Sequence, residues 1–577
     1  MNLSFKDLKN NLKKDYSQLS KIKVALLGDS STQFLAIAIR GLGIEKGFFV
    51  DLFEADFNQI EGQIFNPNSE LHNFNADFVV VFQSTHKLLS KYNKTPIEKQ
   101  ILLADERINF LTQAANSIQA PIIYFNYPEI DDSVYGSYSN KVESSFSYQI
   151  RKLNFELMNA AKLHSNIFIC DIASLQNKFG RNLMFSSSIY ISADMVLSLD
   201  IIPYVASNVM NIILAAQGKF KKCLILDLDN TLWGGIIGDD GLENINIGIG
   251  LGIGKAFSEF QQWIKKLKNR GVIIAICSKN NDKTAKEPFE KHPDMILKLE
   301  DVAVFVANWN NKADNIRHIQ SVLNIGFDSM VFLDDNPFER NLVRDNIQGI
   351  VVPELPEDPG EYLEYLYSLN LFETISISTT DADRTKQYQL EAERVSIQAL
   401  FINESDYLSS LHMVSSNEEI NTFNIPRIAQ LSQRSNQFNL RTVRYNESDI
   451  EKMARSDKFK IMPFTLSDKL GHMGLIAVII LEIINEETLF INTWLMSCRV
   501  LKRSMENFTL NSIVKYARDS GFTQIIGEYI ATPKNELVKD HYTNLGFKKL
   551  DNKNQNLFSL NVLLYQDREC FINVFKN

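Results

Sequence analysis

Two aspartates two residues apart close an apolar run, LILDLDNTLWGG, at Leu224–Gly235. At that spacing Asp227 and Asp229 leave the end of a strand on the same side. Thr231 and a glycine pair then turn the chain. Three more polar groups follow apolar runs: Ser278 with Lys279 in ICSKNN, Lys312 in NWNNKADNI, and Asp334 with Asp335 in FLDDNPFER. A carboxylate can attack phosphorus, and a second can protonate the leaving oxygen and later activate water. Several carboxylates in one place repel one another unless a cation is shared, and a hard divalent ion takes oxygen ligands. Singly, each motif reads as a turn, a helix cap or a solvated lysine. Their order, each after its own strand, points to phosphoryl transfer.

The elements needed to position them are legible. Over 1–217, short apolar strands (KVALLGDS, FVDLFE, DFVVVF, APIIYF, NIFICDI) alternate with helix-length segments, which predicts a doubly wound parallel sheet. A second α/β block, 218–355, has the strands KCLILDLD, GVIIAICSKN, AVFVAN and SMVFLDDN, with polar residues at their carboxyl ends, where open sheets bind ligands. The join VVPELPEDPGEY opens a helical linker at 356–414. The last block, 415–577, reads as α+β, with strands over NQFNLRTVR, FKIMPFTL, GLIAVIILEI and LFINTWLMS and a long helix near 503–520. The expected class is therefore multidomain α/β.

DLDNT fits the DxDx[TV] signature of the haloacid dehalogenase (HAD) superfamily, and the 218–355 block resembles its Rossmann-like phosphatase domain. The resemblance implies Asp227 as nucleophile and Asp229 as acid and base. Thr231, Ser278 and Lys279 would hold the phosphorylated substrate, and Lys312 would neutralise charge. Mg²⁺ would be held by Asp227, a backbone carbonyl at Asp229, Asp334 and Asp335. Too little sequence separates the motifs for a large cap domain.

The longer form DLDNTLWGGIIGDDG, with WLMSCRVLKRSMENFTLN and IIGEYIATPKNELVKDHYTNLGF further on, resembles the HAD subfamily IIIC, FkbH-like proteins, over about 220–550. The C-terminal part of that family looks like a GNAT-type acyltransferase. The resemblance implies loading of a glyceryl group from bisphosphoglycerate, a phosphorylated small molecule, onto an acyl carrier protein through its phosphopantetheine arm. Cys498 is the candidate thiol, because basic neighbours and a helix N-terminus both favour thiolate. Arg499, Lys502 and Arg503 stand where GNAT folds bind a pyrophosphate, although Lys502 and Ser504 replace the usual glycines. Tyr542, in YTNLGF, is placed either to act as an acid or to pack. GDSS at Gly28–Ser31 resembles the first block of SGNH esterases, but SADMVLSLD supplies no DxxH partner, so a binding module is expected there.

A formal net charge of −9 gives no footprint for nucleic acid. The N-terminus has no apolar signal region, and the most apolar stretch, Met195–Ala216, is interrupted by polar residues, so a buried strand or helix is expected and no membrane partner. The five scattered cysteines suit a reduced, cytoplasmic chain. Two other functions remain open: a stand-alone phosphatase on a sugar-phosphate or polysaccharide precursor, and a non-catalytic scaffold that binds carrier protein.

Overall fold

The computed structural model describes residues 4–250, 252–378, 381–532, 534–550 and 556–575. The chain forms two compact units, Met1–Ala216 and Gln217–Asn577.

In the first unit, β1 (Ser20–Gly28), β2 (Phe48–Glu54), β3 (Phe78–Phe82), β4 (Ile122–Phe125) and β5 (Ile167–Cys170) form a parallel sheet in the order β2-β1-β3-β4-β5. All of β3 is buried, as befits a central parallel strand covered on both faces. Ala25 and Leu27 of β1 enter a core shared with the helices Leu103–Ser117 and Phe146–Leu163, while the alternating Val24 and Leu26 point to the other face. The apolar stretch left open between strand and helix is the helix Ile202–Ala216, packed on the helix Gln33–Glu45. Among the described residues no helix is long and apolar enough to cross a membrane.

The second unit contains two sheets. β6 (Cys223–Leu226), β7 (Ile273–Ser278), β8 (Val304–Ala307) and β9 (Met330–Leu333) are parallel in the order β8-β7-β6-β9. Leu224 and Leu226 pack with Trp233 and Phe260 on one face of β6, and Cys223 and Ile225 with Ile316 and Phe332 on the other. Each large apolar side chain so buried contributes roughly 1.5–3 kcal/mol. β6 is thus clamped between β7 and β9, and its carboxyl end is fixed beside theirs.

The segment expected as a helical linker is more than a spacer. Tyr362, Leu366 and Phe372 belong to the core of the four-stranded domain, Tyr388 packs on its other face, and Ile397 packs against the C-terminal core. The helix Tyr362–Leu369 buries Tyr362 and Leu366, its apolar face, in that core.

The C-terminal sheet comprises β10 (Met413–Asn417), β11 (Phe459–Asp468), β12 (Gly471–Ile483), β13 (Thr488–Met496), β14 (Gln524–Glu528), β15 (Lys548–Lys549), β16 (Leu557–Asn561) and β17 (Ile572–Val574), in the order β15-β16-β14-β13-β12-β11-β10-β17. β13 and β14 run parallel, joined through the helix Met505–Asp519. NQFNLRTVR is not a strand; it makes a single bridge, Asn439 to Leu495. Asn439 accepts a hydrogen bond from the Thr442 amide at 2.8 Å, and Thr442 has a φ of 58°, so the side chain turns the backbone out of extended form.

Candidate active site

Four strand ends meet at the carboxyl edge of the four-stranded sheet. Asp227 follows β6, Ser278 ends β7, Asn308 follows β8 with Lys312 four residues on, and Asp334 follows β9. Lys312 opens the helix Lys312–Leu323, capped by Asn311, and is 3% exposed. Its Nζ lies 3.0 Å from Asp227 Oδ1 and 2.6 Å from Asp334 Oδ2. Hydrogen-bond geometry is met only at Asp334, so Asp227 Oδ1 is a buried oxygen without a hydrogen-bond partner among the described residues.

Carboxylate oxygens of Asp227, Asp334 and Asp335 lie within 4.8 Å of one another. Burial, and then the charge of Asp227, push the Asp334 and Asp335 carboxyls above the usual range. Burial also works against the Lys312 ammonium, but Asp227 and Asp334 overcome it and hold the group above its ordinary value. One lysine thus serves three acids. The donor set is all oxygen and still short of positive charge, and Asp227 Oδ1 has a free lone pair. That fits a hard divalent cation.

The Asp229 carboxylate is not part of this cluster. It accepts hydrogen bonds from Trp233 Nε1 (3.0 Å), the Ile237 amide (3.0 Å) and Asn280 Nδ2 (2.7 Å). Trp233 is fully buried, so its one polar atom is spent on aiming Asp229. Asn230, at a φ of 54°, makes the turn that brings Trp233 back. Thr231 ties the loop to Asp335, accepting from its amide at 3.2 Å. Ser278 is buried beside Asn280 (3.3 Å), and Lys279 pairs with Glu339 at 2.5 Å. The cleft, ≈ 640 Å³, contains Asp227, Asp229, Ser278, Lys279 and Lys312, with Ile236 and Trp309 at its rim. Trp309 is 75% exposed. Sequence reasoning missed Asn280, Glu339 and Trp309. The signal was present in their positions, within a few residues of Ser278, Asp335 and Lys312.

The C-terminal candidates do not gather at this cleft. Cys498 is half-buried in a short 3₁₀ turn, Cys498–Val500, and its carbonyl accepts from Asn324 Nδ2 at 2.9 Å. The helix expected beside it begins only at Met505, so no helix N-terminus acts on the thiol. Arg499 is buried, bonded to Ser497 Oγ (3.3 Å) and Gln387. Arg503 is withdrawn from ligand binding: its guanidinium is buried against Glu391 and Asp468, which also hold Arg394. Lys502 is exposed, and Lys502 and Ser504 both have φ near +60°, the conformation glycine would adopt most cheaply. Tyr542 packs, with its hydroxyl buried and unpartnered among the described residues, over Gly527, where a Cβ would stand 2.3 Å from the ring. Burial holds that phenol above its ordinary range, in its protonated form.

In the first unit, Ser30 of GDSS is fully buried and its hydroxyl has no hydrogen-bond partner among the described residues, and the Ser31 amide donates to the Asp194 carbonyl at 2.9 Å. The Asp194 carboxylate pairs with Lys87 at 2.6 Å. Leu197 stands where a DxxH histidine would follow Asp194. Ser30 is therefore closed to solvent, and among the described residues no base is hydrogen-bonded to its hydroxyl.

A nucleophile-like aspartate after the central strand, with a hydroxyl, a lysine and paired acids at neighbouring strand ends, defines a HAD-type phosphatase site. The model for "FkbH, N-terminal domain" matches residues 23–214. A crystal structure of the N-terminal part of protein BF1531 from Bacteroides fragilis, containing a phosphatase domain complexed with Mg, is 59% identical. The match covers 65% of this chain and 100% of that one, with a TM-score of 0.64. The chain belongs to the FkbH-like family of HAD-type phosphatases. An Escherichia coli ribosomal-protein-S18-alanine N-acetyltransferase matches over 27% of this chain and 98% of its own, at 12% identity and a TM-score of 0.21. An acetyltransferase from Streptococcus agalactiae 2603 matches over 26% and 98%, at 13% and 0.20. No curated protein matches the chain.

Proposed function

We propose that this protein is a Mg²⁺-dependent phosphatase acting on a phosphorylated small molecule, and that it couples loss of phosphate to loading of a glyceryl group onto an acyl carrier protein. The observation that carries the phosphatase reading is the meeting of buried Asp227, Asp334 and Lys312 with half-buried Asp335 at the carboxyl edge of the four-stranded sheet. A carboxylate of Asp227 attacks phosphorus as the ester P–O bond breaks, and Asp229 gives its proton to the leaving oxygen. Asp229 then takes a proton from water, whose attack on the aspartyl-phosphate frees phosphate and restores Asp227. The three hydrogen bonds on Asp229 keep it in line for both transfers. Ser278 and Lys312 bind and neutralise phosphoryl oxygens. Asp227, Asp334 and Asp335 would hold Mg²⁺, which supplies further charge neutralisation when bound.

For the acyl step, FkbH-family membership and the half-buried Cys498 support a thiol route. The thiolate attacks the carbonyl of an acyl phosphate and phosphate leaves. The carrier's phosphopantetheine thiol then takes the acyl group and Cys498 is released. The GNAT-like resemblance of the C-terminal domain suits such a transfer, and the first unit is read as a binding module. Intact-protein mass spectrometry with bisphosphoglycerate, Mg²⁺ and a carrier protein tests this. A glyceryl or phosphoglyceryl adduct on the chain and a glyceryl adduct on the carrier, both lost in Cys498→Ala, are expected. Phosphate release with no mass gain on either protein would leave a plain phosphatase. No hydrolysis of any phosphate ester with Mg²⁺ would leave a scaffold.

A further inference from the structure

Cys498 lies on the wall of a second cavity, ≈ 480 Å³, between the amino edge of the four-stranded sheet and the C-terminal domain. Its lining gathers six cations, Lys222, Arg384, Arg427, Arg434, Arg499 and Lys534, against one carboxylate, Asp328. Lys534 pairs with Asp328, and Arg384 and Arg434 share Asp381, at 2.7 Å each. Among the described residues, Lys222, Arg427 and Arg499 have no carboxylate partner. Lys222 donates to the Arg434 carbonyl at 2.8 Å and Arg427 to the Gln430 side chain. Arg499, 7% exposed, bonds only neutral acceptors. Burial, with neighbouring arginines, draws Arg427 down to about 9, and burial draws Lys222 down to about 8. Cations gathered in this way destabilise the empty cavity, and a bound anion relieves them. Guanidinium forks match the oxygens of phosphate better than a point charge does.

We infer that this cavity is a second ligand site, binding a small phosphate ester on Lys222, Arg427 and Arg499 with the Cys498 thiol at the ligand's other end. Lys222 and Asp227 bracket β6, five residues apart, so the cavity and the phosphatase cleft are separated by roughly 16 Å. A phosphate held here is out of reach of Asp227. In a phosphopantetheine arm the whole pantetheine separates phosphate from thiol, whereas in a phosphorylated small acid only a few bonds separate phosphate from carbonyl. A cavity with both the cations and Cys498 on its wall fits the acid. Taking from the proposed function only that Cys498 receives the acyl group, the phosphate ester survives thioester formation. It is hydrolysed at the other end of the sheet, once the carrier's thiol has taken the acyl group from Cys498.

The test is the rate at which iodoacetamide alkylates Cys498 in the full-length protein, followed peptide by peptide in EDTA. 3-Phosphoglycerate at about ten times its Kd is expected to slow the reaction about tenfold, with glycerate giving no protection. Protection is expected to be lost in Arg427→Gln and in Lys222→Gln. Without phosphate, both variants should have a Tm equal to or above that of the parent, because an uncompensated charge is removed. A lowered Tm with undiminished protection would mark these residues as structural and overturn the site. Protection by none of the phosphates would also overturn it. Protection by pantetheine 4′-phosphate or inorganic phosphate, but not 3-phosphoglycerate, would overturn the acid as ligand. Protection without an acyl adduct would sink the thiol route and leave the anion site standing.

Discussion

The two ends of β6 and β9 carry opposite charge deficits. At the carboxyl end, Asp227 and Asp334 share Lys312, with the Asp335 carboxylate beside them. At the amino end, Lys222, beside Ser329 through a 2.7 Å backbone bond, belongs to a group of cations short of acids. Each end is tolerable as a folded structure only because the sheet and the packed helices hold it. The comparison teaches that a deficit of buried counter-charge describes the missing ligand: a cation for one end, an anion for the other. The acidic end is built from residues next to strand termini. The basic end is assembled from distant segments.

Substitutions at the two ends should act differently. Asp227→Asn is expected to lower phosphatase turnover by about 10⁴-fold or more, since it removes the nucleophile. Release of phosphate from p-nitrophenyl phosphate measures it, and activity within tenfold of the parent would place the chemistry elsewhere. Lys312→Met leaves two buried carboxylates facing each other, and should cost about 3–5 kcal/mol in urea unfolding without metal. Added Mg²⁺ should recover part of that loss, whereas no response to Mg²⁺ would argue against a cation at this end. Trp233→Phe keeps the buried ring and removes the donor to Asp229. About 1 kcal/mol of stability should be lost, with a fall in kcat of about tenfold and little change in KM.

The smallest effects are in pH dependence, and the two ends should differ in sign. Burial and Asp227 raise Asp334 from 3.8 to about 7, so the metal-free fold binds more protons than the unfolded chain across that window. The stability it contributes is present below pH 3.8 and lost as pH rises through 7. Burial lowers Lys222 from 10.5 to about 8, so its contribution is present above 10.5 and lost as pH falls through 8. Comparing Asp334→Asn and Lys222→Gln with the parent by thermal melts isolates each slope. Mg²⁺ should flatten the first and phosphate the second. Slopes of the same sign would break the comparison.

The phosphatase motifs were readable because the information is local: an apolar strand, then a polar residue at its end. Asp227, Ser278, Lys312 and Asp334 are brought together by strand pairing that their own sequences dictate. The role of Trp233 was only half legible. Its presence narrowed the family, but the bond to Asp229 depends on the turn at Asn230. Some local readings failed for tertiary reasons. Arg503 looked like part of a phosphate loop, yet Glu391 and Asp468, far away in sequence, claim its charge. NQFNLRTVR alternates like a strand, yet the Asn439 side chain turns it.

The residues alone were enough for the fold class, the family, and the acids and lysine that meet at the carboxyl edge of the four-stranded sheet, since each is set by neighbours within one strand and turn. Tertiary structure alone decided that Cys498 and Asp227 lie at different ends of one sheet, and that Lys222, Arg427 and Arg499 line one cavity with no carboxylate partner among the described residues. Those facts rest on how separated segments pack, where the burial of apolar faces chooses which charges meet.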